Sequence, residues 1–152
     1  MTKNRQMPEI FFSNSEKETE EIAYSLAARN AIKFGDILAL KGDLGAGKTA
    51  FARGLARFFS PSRVTSPTFS LVNEYKAGDK RIFHFDMYRI DSEEDLLSAG
   101  FYDYLCGDCL VLIEWFDKIA GFFDEQTVSA DIIKSEGDKR KIVFDRIENA
   151  IC

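Results

Sequence analysis

The sequence predicts an α/β domain built on a central mixed, partly antiparallel β-sheet flanked by helices. Three observations carry that reading. The apolar stretch Ile37-Leu38-Ala39-Leu40 runs into the glycine-rich Gly42-Asp43-Leu44-Gly45-Ala46-Gly47-Lys48-Thr49, and a helix candidate follows from Lys48 to Phe59. That is the strand–loop–helix order of a P-loop. A continuous apolar run from Cys109 to Ile113 suits a central strand buried on both faces. Two hairpin signals, around Ala77-Gly78-Asp79-Lys80 and Glu136-Gly137-Asp138, add antiparallel pairs. A length of 152 residues fits one domain. Residues 1–152 are therefore read as a single P-loop domain, with 1–8 and 146–152 as frayed ends.

The elements follow in order. Ser15-Glu16-Lys17-Glu18 is a capping box that opens a helix. Its apolar residues Ile22, Ala23, Leu26 and Ala27 recur on one face of a 3.6-residue period, and Gly35 marks its far side. After the P-loop helix, Ser60 to Thr68 carries two prolines and five hydroxyl residues and reads as a loop. Phe69 to Tyr75 and Arg81 to Phe85 are the strands of the first hairpin. Ser92-Glu93-Glu94-Asp95 starts a helix with acids in its first turn, carrying Leu96 and Leu97 and stopping near Gly100. Val128 to Ile133 and Lys141 to Phe144 form the second hairpin. No internal repeat, linker or low-complexity segment interrupts the chain.

Composition narrows the function classes. Forty-five per cent hydrophobic and 30% charged residues are ordinary for a soluble domain. No run approaches a membrane span and no signal peptide opens the sequence. The net charge of −5 is not a nucleic-acid footprint, so service to a nucleic acid would leave the phosphate backbone to another chain. Three cysteines, an odd number, point to the cytosol. Cys106-Gly107-Asp108-Cys109 is a lone C-x-x-C, and the only histidine, His84, is distant in sequence. With no four-ligand zinc set, the motif is read as a turn with a buried thiol.

The P-loop places chemistry. Backbone amides of the glycine-rich turn and a helix N-terminus converge on one spot, which suits a polyphosphate. Lys48 would reach the β- and γ-phosphates and the Thr49 hydroxyl would ligate Mg²⁺. An acid at the end of a neighbouring strand usually holds the metal or its water shell. The sequence offers two, Glu114 after Leu110-Val111-Leu112-Ile113 and Asp86 after Ile82-Phe83-His84-Phe85. Spacing does not rank them firmly, although the more continuous apolar run favours Glu114 as the Walker-B position. The Thr65-Ser66-Pro67-Thr68 loop is a candidate sensor of the γ-phosphate. Trp115 follows Glu114 as a core, stacking or contact residue.

Four separated motifs, GDLGAGKT, SPTF (Ser66 to Phe69), HFDMYR (His84 to Arg89) and IEW (Ile113 to Trp115), occur in that order. Together they resemble the TsaE (YjeE) family, the ATPase component of bacterial tRNA threonylcarbamoyladenosine biosynthesis, over roughly Ser13 to Phe144. The resemblance implies a small P-loop domain that binds ATP with Mg²⁺ and hydrolyses it slowly alone. It also implies dependence on a TsaB–TsaD heterodimer, with tRNA reached only through those partners and no membrane involved. Thr49 and Glu114 would coordinate Mg²⁺, and Lys48 would clamp the phosphates together with Asp43, Leu44, Gly45, Ala46, Gly47 and Ala50 of the loop region. Asp86 would sit near the γ-phosphate and serve hydrolysis. Ser66 and Thr68 would form a switch-like loop, and Trp115 would lie beside the nucleotide. Thr19 would lie near the adenine and Arg140 would close the base pocket. Position 50 holds alanine where many relatives carry a second threonine.

Two other classes stay open. A small-molecule P-loop kinase usually needs a basic lid, and no clear Arg-rich segment is present. A binding switch, in which hydrolysis only resets partner affinity, fits the same motifs. A guanine-reading N-K-x-D motif is absent. No arginine finger is evident, although Arg89 and Arg53 are candidates, and a finger supplied in trans by a partner would fit slow turnover alone.

Overall fold

The computed structural model describes residues 4–5, 7–60, 71–105 and 107–148. Among these residues eight strands form the sheet: β1 (Asn4–Arg5), β2 (Glu9–Ser13), β3 (Ile37–Lys41), β4 (Val72–Ala77), β5 (Lys80–Asp86), β6 (Leu110–Glu114), β7 (Val128–Lys134) and β8 (Arg140–Glu148). Their order is β1-β8-β7-β3-β6-β5-β4, with β2 also pairing β8. The centre is parallel: β3 lies between β6 and β7, and β5 runs alongside β6. The two hairpins add antiparallel strands on either side, β4 beside β5 and β8 beside β7.

Alternation along the strands sorts residues between two cores. Leu38 and Leu40 of β3, with Leu110 and Leu112 of β6, face α1 (Glu16–Ala28) and α2 (Lys48–Phe59). Ala39, Val111 and Ile113 point the other way, onto α3 (Glu93–Ser98), Phe101, Phe116 and Phe123. The all-buried pattern of β6 follows from being covered on both sides.

Ser15 caps α1 as its sequence predicts, its Oγ accepting from Glu18 N–H at 3.1 Å. The return bond differs from the usual box: Glu18 Oε2 accepts from Asn14 N–H at 2.6 Å rather than from the capping residue itself. Ser15→Ala is expected to cost about 1 kcal/mol, read as a lowered thermal midpoint. An unchanged midpoint would show that the cap does not hold in solution.

Several boundaries differ from the sequence expectation. Helix α1 stops at Arg29 because Asn30 takes a left-handed φ of 63° and Ala31 N–H returns to the Leu26 carbonyl. Gly35 only turns the chain into β3. The ends expected to fray are partly paired, since Asn4–Arg5 align with Ile147–Glu148 at the close of β8. Strand β2 has no counterpart in the sequence reading. Cys109 is buried but disulfide-bonded, so the expected buried thiol is not there. The other two cysteines, Cys106 and Cys152, lie outside the described residues.

Candidate phosphate-binding site

The P-loop joins β3 to α2 at the C-terminal edge of the sheet, where α/β ligands bind. Gly45 (φ 79°) and Gly47 (φ 113°) take left-handed conformations that side chains resist. Gly47 caps α2 without any side-chain hydrogen bond, so the first amides of that helix are left for another acceptor. Gly42 is constrained differently: a Cβ there would sit 2.7 Å from the Ile132 carbonyl oxygen. Asp43, Leu44 and Gly45 are exposed at the crest, whereas Ala46 and Ala50 are buried beneath it.

Lys48 is only 7% exposed. Its Nζ donates to the Gly42 carbonyl at 2.9 Å and lies 4.5 Å from the centre of the Trp115 ring. The ammonium therefore folds back along the loop, with its charge facing an aromatic surface. Thr49 follows at half-buried depth in the first turn of α2.

Strand register brings the two acids together. Leu40 of β3 pairs with Glu114 of β6, and Glu114 pairs with Asp86 of β5. By alternation Glu114 lies on the same face as Leu110 and Leu112, and Asp86 on that of Ile82, the face covered by α2. Both carboxylates thus stand at the edge from which the P-loop rises. Glu114 is 5% exposed, and its Oε2 accepts from His84 Nε2 at 2.8 Å. His84 itself is fully buried, and its Nδ1 has no partner among the described residues. Asp86 is less enclosed, and its Oδ1 accepts from Tyr88 N–H at 3.0 Å.

Trp115 leaves β6 with φ 59°, a left-handed turn, and its ring lies against both Lys48 and Tyr88, with its centroid 5.0 Å from that of the latter. A cavity of about 330 Å³ opens beside this edge, lined by Gly42, Asp43, Trp115, Asp131 and Lys134 among others.

The remaining sequence candidates are spread around this centre. The Thr19 hydroxyl is buried and bonded to Ser13 Oγ at 2.7 Å. Ser13 aligns with Arg140 across β2 and β8, which places Thr19 one strand pairing away from Arg140. The guanidinium of Arg140 reaches the P-loop itself, donating from Nε to the Ala46 carbonyl at 2.7 Å. Arg53 is ion-paired with Glu20 of α1 at 2.6 Å, on the helix seam rather than at the sheet edge. Arg89 is exposed in the segment after β5. Ser66 and Thr68 lie outside the described residues.

The sequence reading missed His84 as a partner of Glu114. Its signal was present: two residues before Asp86 on one strand, it must share that acid's face. No group of three or more His, Cys, Asp or Glu residues that could hold a metal occurs among the described residues. A divalent ion at this edge would need phosphate and water oxygens to complete its shell, the usual arrangement for Mg²⁺. The donors present, a hydroxyl at Thr49 and a carboxylate at Glu114, are hard oxygen ligands suited to it.

Comparison with known proteins gives a consistent answer. The family model for threonylcarbamoyl adenosine biosynthesis protein TsaE matches residues 13–142. The tRNA threonylcarbamoyladenosine biosynthesis protein TsaE of Rickettsia conorii is 38% identical over 141 residues, covering 90% of this chain and 79% of the relative. The protein so named in Bacillus subtilis is 37% identical over 134 residues, covering 88% of this chain and 82% of the relative. The crystal structure of Bacillus subtilis YdiB shares the fold with a TM-score of 0.73 and 31% identity, covering 95% of this chain and 90% of that one.

Proposed function

The chain belongs to the TsaE family of tRNA threonylcarbamoyladenosine biosynthesis, and from that premise we propose that it is a slow Mg-ATP hydrolase. It acts in the cytoplasm with a TsaB–TsaD pair and meets tRNA only through those partners. The observation that supports this best is the register Leu40–Glu114–Asp86 beneath an α2 N-terminus without a side-chain cap. An anion acceptor and two acids are thereby set at one edge.

Each residue has a role that its position suits. The loop amides and Lys48 hold the phosphates. Thr49 and Glu114 would hold Mg²⁺, which when bound would offset the charge of the phosphates. His84 keeps the Glu114 carboxylate aimed by donating to one of its oxygens. Asp86, tied to the following turn through one oxygen, keeps acceptor capacity for orienting a water. No helix among the described residues is long and apolar enough to cross a membrane.

The test is phosphate release from Mg-ATP by the chain alone and with TsaB–TsaD. Slow release that rises with the pair supports the reading. Fast release indifferent to the pair rejects the partner-activated role, and a phosphorylated small-molecule acceptor in place of free phosphate rejects hydrolysis in favour of a kinase. Asp86→Ala is expected to bind Mg-ATP as the native chain does while losing roughly 100-fold or more in turnover. Native turnover in that variant removes Asp86 from the mechanism.

A further inference from the structure

Arg140 opens β8 at the foot of the β7–β8 hairpin, and its guanidinium is engaged with four carbonyl oxygens. Nε donates to Ala46 at 2.7 Å and Nη2 to Gly45 at 3.3 Å. Nη1 donates to Gly137 and Lys139, each at 2.9 Å. Two acceptors belong to the P-loop and two to the hairpin's own turn, so the fork bolts one segment to the other across 94 residues of sequence. The contact is closest at the start of the loop and opens toward Gly45, where an added Cβ would meet nothing within 4 Å. Gly42 backs onto the Ile132 carbonyl, and a Cβ on Gly47 would stand 4.0 Å from Arg140 Nε.

The consequence follows from peptide geometry. In a trans peptide the C=O and N–H point in opposite directions, and the chain has no cis peptide bond among its described residues. Holding the Ala46 carbonyl toward β8 therefore turns the Gly47 N–H to the other side of the loop, at the entrance to α2. The neighbouring Gly45–Ala46 peptide is fixed at both ends, its carbonyl by Arg140 and its N–H by the Asp43 carbonyl at 3.0 Å. A loop that binds anions through its amides gains affinity when those amides are set beforehand.

We infer that Arg140 is a positioning residue for phosphate recognition, holding the carbonyl side of the P-loop so that its amide side is preset, and not a residue that closes on the base. The inference rests on the nucleotide-binding reading above and names how one part of that site is built. It predicts that the contribution of Arg140 is blind to the base.

The experiment measures affinities of the full chain for ATP, GTP and inorganic tripolyphosphate by calorimetry. Native, Arg140→Ala and Arg140→Lys proteins are compared after thermal unfolding has confirmed that each is folded. Arg140→Ala is expected to weaken all three ligands by a common factor of roughly tenfold, leaving the ATP-to-GTP ratio unchanged. Arg140→Lys recovers little, because one ammonium cannot span loop and hairpin as a planar fork does. Amide exchange in the ligand-free protein supplies a second readout, with Gly47 and its neighbours exchanging faster in Arg140→Ala. A fall in base discrimination with tripolyphosphate affinity intact overturns the proposal, as does unchanged affinity for all three. A native chain that binds none of the three rejects the nucleotide reading itself and the proposal with it. Should Arg140→Ala fail to fold, the same pattern is required of Arg140→Lys.

Discussion

Lys48→Ala is expected to cut phosphate release from Mg-ATP by a factor of 100 or more, in the range of losing one preset charge-stabilising donor. The side chain is buried along the loop with its ammonium on the Gly42 carbonyl and over Trp115. Those contacts hold the charge within the loop without a carboxylate partner among the described residues. A phosphate that drew Nζ from the Gly42 carbonyl would exchange a neutral acceptor for an anionic one, and charge-assisted bonds are about twice as strong. The loss should therefore grow as charge develops on the transferring phosphoryl group, appearing in kcat more than in binding. Truncation also removes the ring contact with Trp115, worth about 0.5–2 kcal/mol. Lys48→Met keeps the apolar stem and removes the charge together with its contact to Trp115, so a loss shared with Lys48→Ala traces to the ammonium and not to packing. Phosphate release by Lys48→Met at the native rate would falsify the assignment of Lys48 to the phosphates.

The parts of this molecule that were legible in its sequence are those with local causes. The span Lys48–Phe59 was readable at both ends because the glycine-rich turn fixes where α2 begins and Ser60-Pro61 follows its last residue. The Gly78–Asp79 hairpin turn and the Ser92 cap of α3 are likewise four-residue signals. Strand β2 was missed because its outward residues are apolar. Ile10 and Phe12 are 53% and 73% exposed, so Glu9 to Ser13 shows no polar alternation to read.

The site divides in the same way. That Glu114 and Asp86 each end a strand was readable, but their adjacency depends on β5 and β6 being parallel neighbours in one register, which no local pattern encodes. Arg140 illustrates the limit. Its residue type and its place at a hairpin foot were visible, whereas its reach to Ala46 is a tertiary fact. Cys109 is a similar case, since spacing alone does not decide between a thiol and a disulfide.

Gly54→Ala is expected to be the most damaging single-methyl change in the helical layer. Gly54 lies where α1 and α2 cross, and a Cβ there would fall 2.2 Å from the Glu20 carbonyl oxygen and 2.9 Å from Ala23 Cβ. The first obstacle is backbone, so no rotamer change relieves it and the helices must separate. Alanine improves helix propensity by about 1 kcal/mol, and overpacking a tight core costs about 1–3 kcal/mol, more when backbone must move. The clash wins, with a net loss of about 2 kcal/mol and a thermal midpoint lowered by roughly 5 °C in a chain of this size. The same seam carries the Arg53–Glu20 and Arg57–Glu21 ion pairs, which would lengthen together with the crossing. Because α2 begins at Lys48, displacing its middle also tilts the helix end that faces the loop. Nucleotide affinity should therefore fall below the native value even at temperatures where Gly54→Ala remains folded. A midpoint at or above native, with native nucleotide affinity, would mean that the crossing is wider in solution than these distances describe. Normal stability with weakened binding would instead locate the strain at the loop end of α2.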